Sequence, residues 1–180
     1  MVIGSGGREH AIVEAISRSP KAPKIYAAPG NAGIAQLAEC VAIKDTEVDK
    51  LLEFAKANAI DLTVVGPEAA LAAGVVDAFR AAGLKIFGPR KAAAEIEASK
   101  DFAKRLMVKY DVPTAAYETF SDCDAALAYV KKGSLPTVLK YDGLAAGKGV
   151  VIATTMEEAE ATLRDMLLDT KFGEGRVVIE

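Results

Sequence analysis

Within the first ninety residues, short runs rich in β-branched residues alternate about five times with glycine turns and helical stripes, and this limits the fold more than anything else. Met1-Val2-Ile3 runs into Gly4-Ser5-Gly6-Gly7-Arg8-Glu9-His10, and a helical pattern follows with Ile12, Ala15 and Ile16 on one face. A first strand this short suggests that residues have been lost ahead of it. Lys24–Ala28 reads as a second strand ending in Pro29-Gly30-Asn31-Ala32-Gly33, and Cys40–Ile43 as a third. Asp45 or Thr46 is placed to cap a helix whose Val48, Leu51, Leu52 and Ala55 form one stripe. Asp61–Val65 is a fourth strand, ending in Gly66-Pro67-Glu68. The next helix is marked by Leu71, Val75, Ala78, Phe79 and Ala82 and stopped by Gly83, and Leu84–Phe87 is a fifth strand before Gly88-Pro89. Such alternation predicts an α/β fold with an open, mostly parallel sheet covered on both faces. Ligands of such sheets sit beyond the carboxyl ends of the strands, where these glycine turns fall.

Strand, glycine turn and helix at the start of the chain suit anion binding at a helix N-terminus. They do not make a dinucleotide site. Gly4-x-Gly6 fits the first half of that fingerprint, but Glu9 stands where the third glycine belongs, and no acid follows the second strand to hold a ribose. His10, the sole histidine, suits a structural hydrogen-bonding role as readily as a functional one. Glu68 fits either a carboxylate stabilised by a helix N-terminus or a substrate contact.

A short helix over Ala92–Ala98 precedes the expected domain boundary, giving domains 1–98 and 99–180. Ser99-Lys100-Asp101 begins an amphipathic helix with Phe102, Leu106 and Met107, and Ala116–Phe120 reads as a strand. Ser121 or Asp122 caps the next helix, which carries Ala126, Leu127 and Val130. Thr155 and Glu158 have capping-box spacing ahead of a helix that buries Ala159, Leu163, Met166 and Leu167. Residues 171–175 read as a turn, and Arg176–Glu180 as a last strand.

Between these helices lies the most glycine-rich stretch, Val138 to Ile152. Two short apolar flanks read as strands of a hairpin, and the tip Gly143-Leu144-Ala145-Ala146-Gly147-Lys148-Gly149 is nearly free of side chains. Its backbone N–H groups can approach an anion closely, and Lys148 adds a positive charge, which suits phosphate. The tip is not a P-loop. Three residues rather than four separate Gly143 from Gly147, Gly149 stands in place of Ser or Thr, and a strand follows instead of a helix. Lys140 lies inside an apolar strand, where an unpaired ammonium would be costly, so a phosphate partner is expected for it. Tyr141 either narrows the ligand slot or faces outward. Lys100, at a helix start, gains nothing from the helix dipole there, which favours a ligand contact.

Composition excludes several classes. A net charge of −3 with no basic stripe argues against a nucleic-acid partner. No apolar run is long enough to cross a bilayer and no signal peptide is present, so a membrane partner is not expected. Cys40 and Cys123 are far apart, outside metal-type spacing, and read as reduced buried thiols of a cytoplasmic protein.

Taken in order, Gly4–His10, Pro29–Gly33, Val65–Glu68, Ile86–Pro89, Ser99-Lys100 and Asp142–Val150 resemble the phosphoribosylamine–glycine ligase (glycinamide ribonucleotide synthetase) family of the ATP-grasp superfamily. The resemblance implies a Rossmann-like, pre-ATP-grasp N-terminal domain followed by the first part of an α+β ATP-grasp domain. It implies a purine-synthesis ligase that joins glycine to 5-phosphoribosylamine through a glycyl phosphate, with ATP and Mg²⁺ or Mn²⁺ as cofactors. Lys100 and Lys140 match the two lysines that reach ATP phosphates. Gly143, Ala146, Gly147, Lys148 and Gly149 match the flap over them, and Glu180 matches the start of the hinge that reads the adenine edge. Gly6, Gly7, Arg8, Glu9, His10, Gly30, Asn31, Gly66, Pro67 and Glu68 fall on the phosphoribosylamine side. The family's metal-binding carboxylates and Asn have no counterpart in these residues, so the metal ligands are expected beyond Glu180 and the chain is expected to be catalytically incomplete. The alternatives are another ATP-grasp carboxylate–amine ligase and a non-catalytic nucleotide-binding module.

Overall fold

The computed structural model describes residues 1–145, 147–169 and 175–180. Within it the chain divides into two compact units, Met1–Ala94 and Glu95–Glu180.

The first unit is α/β. Strands β1 (Val2–Gly4), β2 (Tyr26–Pro29), β3 (Glu39–Cys40), β4 (Thr63–Val65) and β5 (Ile86–Phe87) form one sheet in the order β3-β2-β1-β4-β5. Every neighbouring pair is parallel. Successive side chains enter opposite cores, as a period of two requires. Val2 and Ala27 pack with Val13 and Ile34 on one face. Ile3 and Ala28 pack with Leu51, Val76 and Phe79 on the other. Helix α1 (Gly7–Ser17) supplies the first core, and α2 (Val48–Ala57), α3 (Glu68–Ala72) and α4 (Val75–Ala81) the second. The parallel sheet covered on both faces is therefore present as read from the sequence.

Local details differ for physical reasons. The third strand is Glu39–Cys40 rather than Cys40–Ile43. Ile43 N–H bonds back to Val41 O at 2.7 Å, a tight turn that lifts the chain off the sheet edge. Cys40 is therefore exposed, while Cys123 is buried as expected. The helix expected over Leu71–Ala82 is two helices, because Gly74 takes φ +91 between them. Gly83, at φ +74, ends α4, with Leu84 N–H bonding to Phe79 O. In α1 the buried residues are Glu9 and Val13, whereas Ala15 is exposed.

The second unit is α+β. Helix α5 (Lys91–Ala98) runs across the division, and α6 (Lys100–Lys109) then precedes β6 (Glu118–Phe120) and α7 (Cys123–Lys132). The hairpin β7 (Thr137–Tyr141) and β8 (Val150–Ala153) follows, then α8 (Met156–Leu167) and β9 (Val177–Ile179). The sheet is antiparallel throughout, in the order β6-β9-β7-β8. Leu139, Tyr141, Val177 and Ile179 face a core shared with Ala126, Leu127 and Val130 of α7 and Leu163 and Met166 of α8. Two expected caps form, Asp122 accepting from Ala125 N–H at 2.8 Å and Thr155 from Glu158 N–H at 3.2 Å, whereas α2 in the first unit begins after Glu47 rather than Asp45 or Thr46, with no side-chain cap. The turn expected over 171–175 lies, but for Gly175, outside the described residues.

Helix α6 departs from its expected amphipathic pattern. Its buried residues are Asp101 and Lys104, and Phe102, Leu106 and Met107 are only half-buried. A helix that buries charges must pair them, and those pairs build the site described next.

Candidate functional site

In the first unit the expected residues gather at the carboxyl end of the sheet. The chain runs from β1 outward to β3, then returns to β4 on β1's other side, so the switch point lies between β1 and β4. Glu9 fills that crevice. Its side chain is buried and accepts from Gly6 N–H at 2.6 Å and from Arg8 Nε at 2.9 Å. A Cβ at Gly4 would fall 2.6 Å from Glu9 Cγ, and one at Gly66 would overlap the carboxylate. Three glycines, Gly4, Gly6 and Gly66, thus leave room for a carboxylate carried by the chain itself, at the helix N-terminus where an anion is favoured.

Around that plug the loops tie to one another. Arg8 continues from Glu9 to Glu68, with Nη1 to Oε1 at 3.1 Å and Nη2 to Oε2 at 3.4 Å. The Arg8 bonds, helped by Glu68's own backbone N–H, hold the Glu68 carboxyl below its ordinary range against a small opposing effect of burial. Glu68 and then Glu9 raise the Arg8 guanidinium further above its ordinary value. Asn31 donates to Ser5 O at 2.8 Å and accepts from Ile34 N–H at 2.9 Å. Gly30 N–H bonds to Gly4 O at 3.1 Å, and the His10 ring occupies the space beside Gly33. Gly7 and Pro67 sit in the same turns.

In the second unit the hairpin forms with Lys140 opposite Val150, and Tyr141 N–H bonds to Gly149 O at 2.8 Å. The tip is not helical among its described residues, and Lys148 is exposed there, its N–H bonded to Ala145 O at 2.9 Å. Ala146, expected in the flap, lies outside the described residues. Tyr141 faces inward, 7% exposed, and its ring lies beneath Gly143 and Gly175. Several glycines here thus serve Tyr141 as much as any ligand.

Asp142 locks the tip's entrance. Its carboxylate accepts from Ser99 Oγ at 3.1 Å, from Asp101 N–H at 3.2 Å and from Arg176 Nη2 at 2.7 Å. Arg176 Nη1 reaches Asp101 Oδ2 at 3.1 Å, and Lys100 Nζ donates to Gly143 O at 3.0 Å. The start of α6 and the start of the glycine tip are one hydrogen-bonded assembly.

Next to it is a cavity of about 570 Å³, lined among others by Lys100, Lys104, Lys140, Thr114, Val150 and Glu180. That volume suits a small-molecule ligand. Lys140 is not unpaired, as its strand context suggested: its Nζ lies 2.7 Å from Glu180 Oε2. Lys104 Nζ lies 2.6 Å from the other oxygen, Oε1. Burial pushes the Glu180 carboxyl up, but the two ammonium groups outweigh it and hold the carboxyl below its ordinary range. Lys104, Asp101, Asp142 and Arg176 were not singled out as site residues from the sequence. The one signal for Lys104 was its place a helical turn after Lys100, on the same face. Among the described residues, no group of three or more His, Cys, Asp or Glu side chains could hold a metal ion. Among those residues, too, no helix is long and apolar enough to cross a membrane.

Comparison with known proteins gives two family-model matches. Residues 1–97 match "Phosphoribosylglycinamide synthetase, N domain", and residues 98–180 match "Phosphoribosylglycinamide synthetase, ATP-grasp (A) domain". The phosphoribosylamine–glycine ligase of Pasteurella multocida (strain Pm70) is 55% identical over 184 residues, covering 100% of this chain and 43% of the relative. That of Neisseria meningitidis serogroup A is 56% identical over 182 residues, with the same coverage. The crystal structure of phosphoribosylamine–glycine ligase from Thermotoga maritima superposes with a TM-score of 0.76 at 33% identity, covering 99% of this chain and 42% of that one. The chain thus spans 43% of the length of these curated relatives.

Proposed function

The chain belongs to the phosphoribosylglycinamide synthetase family, and from that membership we propose that it is the N-terminal part of an ATP-dependent ligase joining glycine to 5-phosphoribosylamine. The observation that carries this reading is the cavity of the second unit, where Lys100 and Lys140 meet beside a glycine tip. A carboxylate is a poor acceptor for an amine. In the proposed reaction a glycine carboxylate oxygen attacks the γ-phosphorus of ATP, and ADP leaves. The amine nitrogen of phosphoribosylamine then attacks the carbonyl carbon of glycyl phosphate, loses a proton, and phosphate departs.

The protein's part is to place these groups and balance phosphate charge. Lys140 has one partner among the described residues, Glu180, so its remaining N–H groups can meet phosphate oxygens. Lys100 exchanges Gly143 O for phosphate. The backbone of Gly147 and Gly149, with Lys148, covers the phosphates, and Glu180 faces the adenine edge. Gly6, Gly7, Arg8, His10, Gly30, Asn31, Gly66, Pro67 and Glu68 form the phosphoribosylamine side, while Glu9 shapes that side rather than touching ligand. Among the described residues, no group of three or more His, Cys, Asp or Glu side chains could by itself hold the divalent metal that would accompany ATP. The same reading makes the chain cytoplasmic, with small-molecule substrates and neither nucleic acid nor membrane as partner.

Calorimetric titration and a turnover assay test this together. The expected result is ATP binding without turnover. ADP release that depends on both glycine and phosphoribosylamine overturns the reading of the chain as catalytically incomplete. No binding of ATP at millimolar nucleotide overturns the assignment of the cavity.

A further inference from the structure

Three lysines line the cavity, and their surroundings divide their tasks. Lys104 is the buried one. Its ammonium has three N–H groups, and three oxygens meet it: Thr114 Oγ1 at 2.6 Å, Ala115 O at 3.1 Å and Glu180 Oε1 at 2.6 Å. Two of its N–H groups donate, to Thr114 and Ala115, and the Glu180 carboxylate closes the third side as an ion pair, so with a side chain 10% exposed little of it is left for a ligand. Lys140, by contrast, has Glu180 Oε2 at 2.7 Å and a side chain 26% exposed. Glu180 is therefore shared between an enclosed ammonium and one that still has donors to give. Its Oε1 is buried and has no well-aligned hydrogen bond, so Lys104 holds it by charge.

We infer that Lys104 is a positioning residue for anion binding in this cavity: it balances Glu180 so that Glu180 does not neutralise Lys140. The inference rests on the nucleotide reading above and adds a residue to it. With all three groups charged, the cluster Lys104–Glu180–Lys140 carries net +1 where a phosphate chain is to bind. Without Lys104 the pair that remains is neutral, and Lys140's donors are drawn to Glu180. The charge that Lys104 contributes therefore acts through Glu180, with no contact between Lys104 and the ligand.

The test uses the whole chain and compares ATP with adenosine, so that the ratio of affinities isolates the phosphate contribution. Lys104→Met is expected to weaken ATP binding about tenfold or more while adenosine changes less than about twofold. Adding Glu180→Gln to Lys104→Met restores the net charge and is expected to recover most of the lost ATP-to-adenosine ratio. Lys104→Arg keeps the charge and keeps the ratio. A purely structural role for Lys104 would lower stability in Lys104→Met without that charge-specific recovery, and such a result overturns the inference. So does an unchanged ratio in Lys104→Met. If the unaltered chain binds no ATP, the nucleotide reading itself fails, and this role for Lys104 with it. Should Lys104→Met lose its fold by circular dichroism, Lys104→Gln, which keeps donors for Thr114 and Ala115, carries the same comparison. In the ligand-free chain, carbon-detected NMR titration of Glu180 is expected to show its midpoint rise in either uncharged variant. A midpoint that stays put overturns the pairing directly.

Discussion

The carboxylate of Glu9 occupies the space that a side chain at Gly66 would need, although the two residues belong to different strand–helix units of the sheet. Gly66→Ala must therefore displace a buried carboxylate from its bonds to Gly6 and Arg8. Overpacking of this kind costs about 1–3 kcal/mol. Gly7→Ala is the control, since a Cβ there meets nothing within 4 Å and the residue lies in α1. It is expected to be neutral or to stabilise by up to about 1 kcal/mol through helix propensity. Urea unfolding of both variants, read at constant slope, checks the pair. Equal stabilities would mean that Glu9 is free to move.

Glu180 gives the second unit a pH dependence of definite sign. Its folded pKa lies below the ordinary glutamate value, because two ammonium groups outweigh the effect of burial. A carboxylate with a depressed folded pKa contributes stability that is complete above its unfolded pKa and is lost as pH falls through the folded one. In Glu180→Gln the deficit relative to the unaltered chain is expected to be constant at neutral pH and to shrink below about pH 4.5, near the ordinary glutamate value. Thermal melts from pH 3 to pH 7 check this, and a deficit that grows on acidification contradicts it.

The sequence made legible what depends on near neighbours. Capping by Asp122 and Thr155, the stop at Gly83 and the parallel sheet all follow from residue types at short spacing. Pairings across long stretches were not legible. Lys140 meets Glu180 at a separation of 40 residues, and Arg176 meets Asp101 at 75. Helix α6 shows why. Periodicity reports which positions share a face, and it assigns the core to apolar residues. Here the buried positions are Asp101 and Lys104, made tolerable by Thr119 on β6, by Arg105 of the same helix, and by Arg176 and Glu180 on either side of β9. Tyr141 was equally open, since nothing local says which side of a glycine tip an aromatic ring will take.

Asp142 and Glu68 should differ sharply in what their charges are worth. Asp142 is 3% exposed and serves Ser99, Asp101 N–H and Arg176 together. Asp142→Ala leaves those donors without an acceptor, at a cost of about 2 kcal/mol. Arg176, 46% exposed, regains water and limits the loss. Glu68 and Arg8 are 44% and 54% exposed, and such pairs contribute less than about 1 kcal/mol. Glu68→Gln is therefore expected to leave stability nearly unchanged. Hydrogen exchange separates the cases by place: Asp142→Ala should raise exchange at the start of α6 and in β7, leaving the first unit's sheet protected. Faster exchange in β1 and β4 would contradict it.

The glycines around the tip are not equivalent, and Tyr141 separates them. A Cβ at Gly143 would lie 2.8 Å from Tyr141 Cε1, and one at Gly175 would overlap the same ring. Gly147 takes φ +77, yet a Cβ there meets nothing within 4 Å. Gly147→Ala thus costs only the left-handed backbone, about 1–2 kcal/mol, and leaves the core alone. Any loss of ATP affinity beyond that reports the approach of backbone to phosphate. Gly175→Ala acts through the ring, so its cost is expected to fall when Tyr141 is made smaller. A double-mutant cycle of Gly175→Ala with Tyr141→Leu should give a compensating coupling of about 0.5–3 kcal/mol. The same cycle with Gly147→Ala should give a coupling near zero. Equal couplings would mean that the ring does not set the shape of the tip, and that its glycines answer to the ligand alone.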